Sequence, residues 1–166
     1  MEVVKKEKII EIGMGEMKTN ESPAKLITRG LGSCVAITVF DPVKKTGGMA
    51  HAMLPDIERV KLKSNPSRFV NYIVKKMVEE LEKQGCVRQR FIVKLFGGAH
   101  MFGFITSESI LNVGEKNVLM AKTVIGELGL KLSAEETGGT FGRTTELDLE
   151  TGKVLVKTIA WGEKEV

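Results

Sequence analysis

Two apolar runs separated by a short polar turn constrain this chain more than any other feature. Cys34 to Phe40 reads CVAITVF, Gly48 to Leu54 reads GMAHAML, and Asp41-Pro42 through Thr46-Gly47 joins them. Runs of this length, almost entirely apolar and bounded by turn residues, form strands. A connection this short makes them antiparallel neighbours. Counting outward from the turn, Cys34 lies near the far end of one strand and His51 a few residues into the other. The two side chains can therefore approach, although the count does not settle direct opposition.

Further strands are expected at Ile9 to Met17, Lys25 to Arg29, Phe91 to Phe96, Lys131 to Glu136, Thr144 to Leu149 and Val154 to Ile159. The last two form a hairpin closed through Thr151-Gly152. Two segments have helical punctuation. The first opens at Asn65-Pro66 and ends before Gly85, with Phe69, Ile73, Met77 and Leu81 recurring every four residues. The second runs from about Glu115 to Leu128, with Val118, Ala121, Ile125 and Leu128 as its stripe. Eight strands and two amphipathic helices predict an α+β protein, two sheets with the helices on one outer side. No repeat, linker or low-complexity tract divides the 166 residues, so one domain is expected over residues 1–166.

Apolar content of 42% supplies a core without metals or disulfides, and no apolar run is long enough to span a bilayer. The start, MEVVKKEKIIEIG, lacks a cleavable apolar core and predicts no signal peptide. Two cysteines fit reduced thiols and a cytoplasmic location better than a disulfide scaffold. The net charge of +4 is modest, and the basic stretch Arg59, Lys61, Lys63, Arg68 is diluted by Asp56 and Glu58. It lacks interleaved aromatics, so nucleic-acid binding is not expected, whereas steering of an acidic protein partner is compatible with it.

Few residues are available for chemistry. His51 lies in GGMAHAMLP, where every neighbour is uncharged and without a polar side chain. Taken alone, it reads as a core histidine that must find a hydrogen-bond partner. Taken with Cys34, it reads as the base of a thiol nucleophile, since a thiol beside an imidazole can exist as thiolate and imidazolium. Gly30 and Gly32 allow a tight bend before Cys34, and amides near Gly32 and Ser33 can then face a developing oxyanion. Thr28 offers a hydroxyl that can hold the histidine ring. These residues by themselves indicate a cysteine hydrolase of unspecified substrate. His100 sits in a glycine-rich turn and reads as a loop residue, and Cys86 reads as structural. FGGAHMFG and ETGGTFGR share only glycine content with phosphate cradles. Two histidines and two dispersed cysteines make no convincing zinc site, so neither metal nor cofactor is expected.

The segments TRGLGSCVAITVFDP, GGMAHAMLP, KLFGGAHMF, NVGEKNV and ETGGTFGR follow one another as in the CheD family of chemoreceptor glutamine deamidases, which the chain resembles from about Ile9 to Ile159. The resemblance implies a layered α/β/β fold similar to the catalytic domain of the cytotoxic necrotizing factor toxins. It implies Cys34 as nucleophile, His51 as general base and acid, and Thr28 as the group orienting His51. The implied reaction converts glutamines on the cytoplasmic helices of chemotaxis receptors to glutamates through a thioester, with glutamate methyl ester hydrolysis as a side activity. An alternative implied role is chiefly regulatory, as partner of a CheC-type phosphatase. Arg29 departs from the family pattern, where an apolar residue is usual. Glu136 replaces the usual aspartate, and His100 occupies a variable position.

Overall fold

The computed structural model describes residues 5–61, 64–101 and 113–166. Lys63 of the basic stretch, Asn112 and the Phe102-Gly103 end of the FGGAHMFG segment lie outside them. The described residues form ten strands in two five-stranded sheets, with two α-helices. The strands are β1 (Lys8–Glu11), β2 (Met17–Glu21), β3 (Ala24–Leu31), β4 (Val35–Asp41), β5 (Thr46–Ala52), β6 (Ile92–Gly97), β7 (Leu132–Thr137), β8 (Arg143–Asp148), β9 (Val154–Thr158) and β10 (Gly162–Glu165). One sheet runs β1-β3-β8-β9-β10 and the other β2-β5-β4-β6-β7. The helices are α1 (Val70–Lys83) and α2 (Val113–Glu127).

Strand β4 explains the layering. Val35, Ile37 and Val39 pack with the helices, together with Ile73, Met77 and Leu81 of α1 and Ala121, Val124 and Ile125 of α2. The alternate residues Ala36 and Phe40 pack with Leu26, Leu147 and Val156 of the other sheet. Side chains alternate along a strand, and β4 is buried at every position, so it must be covered on both faces. Helices on one side and a second sheet on the other meet that demand. This is the two-sheet α+β arrangement with helices on one outer face that the apolar pattern predicts.

Three expectations change. Ile9 to Met17 is not one strand: the chain turns at Gly13 to Gly15, with Gly15 at φ +74°, and resumes as β2. The first helix does not begin at Asn65, whose backbone is left-handed (φ 49°) and whose side chain caps nothing. Pro66–Arg68 makes a single 3-10 turn, Phe69 is extended and bridges Leu54, and α1 starts only at Val70. Strand β10 is an addition to the expected set, because GEKE is exposed at every position and carries no apolar alternation.

Candidate active site

The strand periodicity that builds the layers also gathers the candidate residues. Cys34 precedes β4 with the parity of Ala36, and it packs against the cluster between the sheets. On β5, Ala50 and Ala52 face the helices, so His51 faces the opposite sheet. His51 pairs with Ala36 in the β4–β5 register. Cys34 and His51 are thus diagonal neighbours on one face, two residues away from direct opposition. Thr28 of β3 shares the parity of Leu26 and enters the same layer from the other sheet.

The hydrogen bonds fix the state of the imidazole. Thr28 Oγ1 donates to the Ile12 carbonyl at 2.7 Å and lies 2.7 Å from His51 Nδ1. A hydroxyl has one proton, and with that proton on Ile12 it can only accept from Nδ1–H. Nδ1 therefore carries the ring proton and Nε2 is bare. Nε2 is buried and has no hydrogen-bond partner among the described residues. The backbone around the ring is equally held: His51 N donates to Glu16 O and Gly15 N donates to His51 O, each at 2.9 Å.

Burial sets the protonation of the pair. It pushes the His51 imidazolium toward losing its proton. It also pushes the Cys34 thiol up, with the Cys34 amide pulling the other way. Both shifts oppose the thiolate–imidazolium pair that the expected strand pairing suggests. Burial favours the neutral thiol and neutral imidazole.

The turn that carries Cys34 is pinned by its carbonyls. Gly32 O accepts from Ala99 N at 2.8 Å and Cys34 O accepts from Gly98 N at 2.9 Å. Ser33 O, between them, accepts from the side-chain amide Nδ2 of Asn117 at 3.0 Å. Gly97 makes the approach possible: at its φ of +96° an added Cβ would sit 2.4 Å from Cys34 O. Of the two glycines expected to form the bend, Gly30 takes a left-handed φ of +70° and Gly32 does not.

Asn117 escapes a reading of the sequence. It is fully buried on α2, and its Nδ2 also donates to Met53 O at 3.1 Å, two residues beyond His51. Its only signal is position: an amide where the helical stripe calls for an apolar residue. Thr145 is the β8 partner of Thr28, and its hydroxyl is buried without a partner among the described residues. His100 is tied through its backbone N to Gly139 O at 2.9 Å. Arg29 is exposed and pairs with Glu11 at 3.2 Å. Glu136 binds the buried guanidinium of Arg143. Among the described residues, no three His, Cys, Asp or Glu side chains cluster to hold a metal ion, and no helix is long and apolar enough to cross a membrane.

The fold is α+β, with the Cys34 thiol and the His51 imidazole on one face of the layer between the sheets. Residues 53–158 match the family model described as CheD chemotactic sensory transduction. The chain is 43% identical over 159 residues, 96% of its length and 98% of the relative's, to a protein of Caldanaerobacter subterraneus subsp. tengcongensis named probable chemoreceptor glutamine deamidase CheD. A protein of the same name from Pyrococcus horikoshii is 43% identical over 156 residues, 94% of this chain and 96% of that one. Another, from Desulforamulus reducens, is 39% identical over 159 residues, 96% of each chain. The chain belongs to the CheD family. The family-model match begins at Met53, beyond Thr28, Cys34 and His51.

Proposed function

We propose that this chain deamidates glutamine side chains on chemotaxis receptors, with Cys34 as nucleophile, His51 as proton carrier and Thr28 as the group that orients His51. The observation that carries the reading is the Thr28–His51 hydrogen bond of 2.7 Å, which leaves a bare Nε2 on the face that Cys34 shares. The names of the relatives supply the substrate class.

The chemistry follows from the neutral pair. As Sγ attacks the carboxamide carbon, the thiol proton moves to Nε2, so the nucleophile is deprotonated during attack rather than stored as thiolate. The carbonyl π electrons move onto oxygen, where the Ser33 and Cys34 amides stabilise them. The tetrahedral species collapses, Nε2–H protonates the departing nitrogen, and ammonia leaves a thioester. Water then loses a proton to Nε2 as it attacks the acyl carbon. The thiolate departs, recovers that proton, and the product is glutamate. A glutamate methyl ester would follow the same steps with methanol leaving.

The test is mass spectrometry of a receptor cytoplasmic fragment incubated with the chain. Each converted glutamine adds about one dalton, and Cys34→Ala abolishes the gain. A purely regulatory role with a CheC-type phosphatase requires no such conversion. A folded wild type that leaves every receptor glutamine intact overturns the deamidase reading.

A further inference from the structure

The three consecutive carbonyls of the nucleophile turn are each held by a different donor. Gly98 and Ala99, which follow β6, hold Cys34 O and Gly32 O, and α2 holds Ser33 O through Asn117. A trans peptide is planar, with its C=O and N–H pointing in opposite directions. Fixing the Gly32 carbonyl therefore fixes the Ser33 N–H, and fixing the Ser33 carbonyl fixes the Cys34 N–H. Neither amide donates to a backbone carbonyl among the described residues. Both are turned away from the packed side of the turn.

We infer that Asn117 is a positioning residue of the site, aiming the Cys34 N–H at the developing oxyanion through its hold on Ser33 O. The inference rests on the deamidase reading. Three observations support it. First, Asn117 is fully buried on the face of α2 that also buries Ala121, Val124 and Ile125, where an apolar residue would pack without orphaned polar atoms. Its Oδ1 is left without a partner among the described residues, so the amide is not there to complete a closed network. Secondly, its two acceptors, Ser33 O and Met53 O, lie one residue before Cys34 and two after His51. One amide group thus holds the nucleophile turn and the histidine strand together. Thirdly, the helix packs closely against the Gly98-Ala99 segment that holds the other two carbonyls of the turn. Gly114, one turn earlier on α2, leaves no room for a Cβ, which would sit 2.4 Å from Ala99 O.

A hold on carbonyl orientation affects reactions that build charge on oxygen and spares those that do not. The experiment compares Asn117→Ala and Asn117→Leu with wild type in deamidation of a receptor fragment and in alkylation of Cys34 by iodoacetamide. Alkylation displaces iodide at carbon and forms no oxyanion. Leucine nearly conserves volume while removing the donor, so it separates the hydrogen bond from packing. The expected result is a kcat lowered about 10²-fold in both variants, with KM and the alkylation rate within about twofold of wild type. Unchanged kcat in a folded Asn117→Leu protein overturns the inference, as does an alkylation rate that falls in step with kcat. A wild type inactive on receptor glutamines overturns the deamidase reading and this inference with it. With an active wild type, failure of either Asn117 expectation overturns the positioning role alone.

Discussion

The two ends of β4 bury polar groups in opposite ways. At the Asp41 end, a fully buried carboxylate takes a forked contact from Arg90, with Nη2 at 2.8 Å and Nε at 3.0 Å. It also accepts the amides of Val43, Lys44 and Val87 at 3.0 to 3.2 Å. At the Cys34 end, the buried His51 has one ring nitrogen bonded and the other bare, and Asn117 Oδ1 and Thr145 Oγ1 nearby are also unpartnered among the described residues. Native cores seldom leave such atoms unsatisfied, because each costs on the order of 1–3 kcal/mol. Saturation at one end belongs to an anchor that closes the hairpin. Under the proposed function, the open valences at the other end are where substrate completes the bonding.

The strongest way to break that comparison is at the thiol. Cys34→Ala should lose all deamidation while keeping its melting temperature within a few degrees, since alanine suits a small site. Retained conversion would remove Cys34 from the reaction. His51→Asn keeps a hydrogen-bonding side chain but cannot carry the proton, and should lose ~10²–10⁴-fold in kcat. At the anchored end, Arg90→Met should lower stability by removing the forked contact and leaving Asp41 with its three amide donors alone. Its activity per folded molecule should stay near wild type, as read by denaturant titration beside the deamidation assay. A loss of catalysis without a loss of stability would mean that the two ends are not separate in function.

Smaller effects sharpen the contrast. Thr28→Val frees the His51 ring to turn and to take the other tautomer, with an expected loss of about tenfold in kcat, well below that of His51→Asn. The ends also differ in pH response. Burial pushes the Asp41 carboxyl up, but Arg90 and the three amides outweigh it and hold it at about 2. The unfolded carboxyl takes its proton first as pH falls, so the anchor's contribution is complete above about pH 4 and is lost as pH falls toward 2. Burial lowers His51 from 6.5, so the unfolded chain is protonated first as pH drops below that value. Stability should therefore decline below about pH 6.5, and His51→Asn should flatten that slope in thermal melts. A slope unchanged in His51→Asn would show that His51 is not its source.

The reach of the sequence can be judged from these residues. The β4–β5 hairpin and the approach of Cys34 to His51 follow from the two apolar runs and the short turn, which are local properties. The register, with Ala36 opposite His51, needed the structure, because the four-residue turn Pro42 to Lys45 admits more than one pairing. Strands β2 and β10, MKTNE and GEKE, are edge strands whose polar side chains carry no alternation to read. Asn117 is invisible for the opposite reason. Inside an amphipathic helix a single amide looks like an imperfection of the stripe, and its partners lie 84 and 64 residues away. The Thr28 bond is suggested by family resemblance. Its consequence, a fixed tautomer, depends on the Ile12 carbonyl, which no local motif identifies.

Strand β4 occupies the middle of its sheet, bonded to β5 on one side and β6 on the other. Amide hydrogens there should exchange with solvent only when the whole protein opens, while those of edge strands β2 and β10 exchange through local fraying. Cys34, the proposed nucleophile, thus precedes the strand whose amides are expected to exchange most slowly. Under the proposed function, adjustment to different receptor helices would fall to the turns around Cys34 rather than to β4, and on warming, activity should disappear in one step with the global unfolding of the chain.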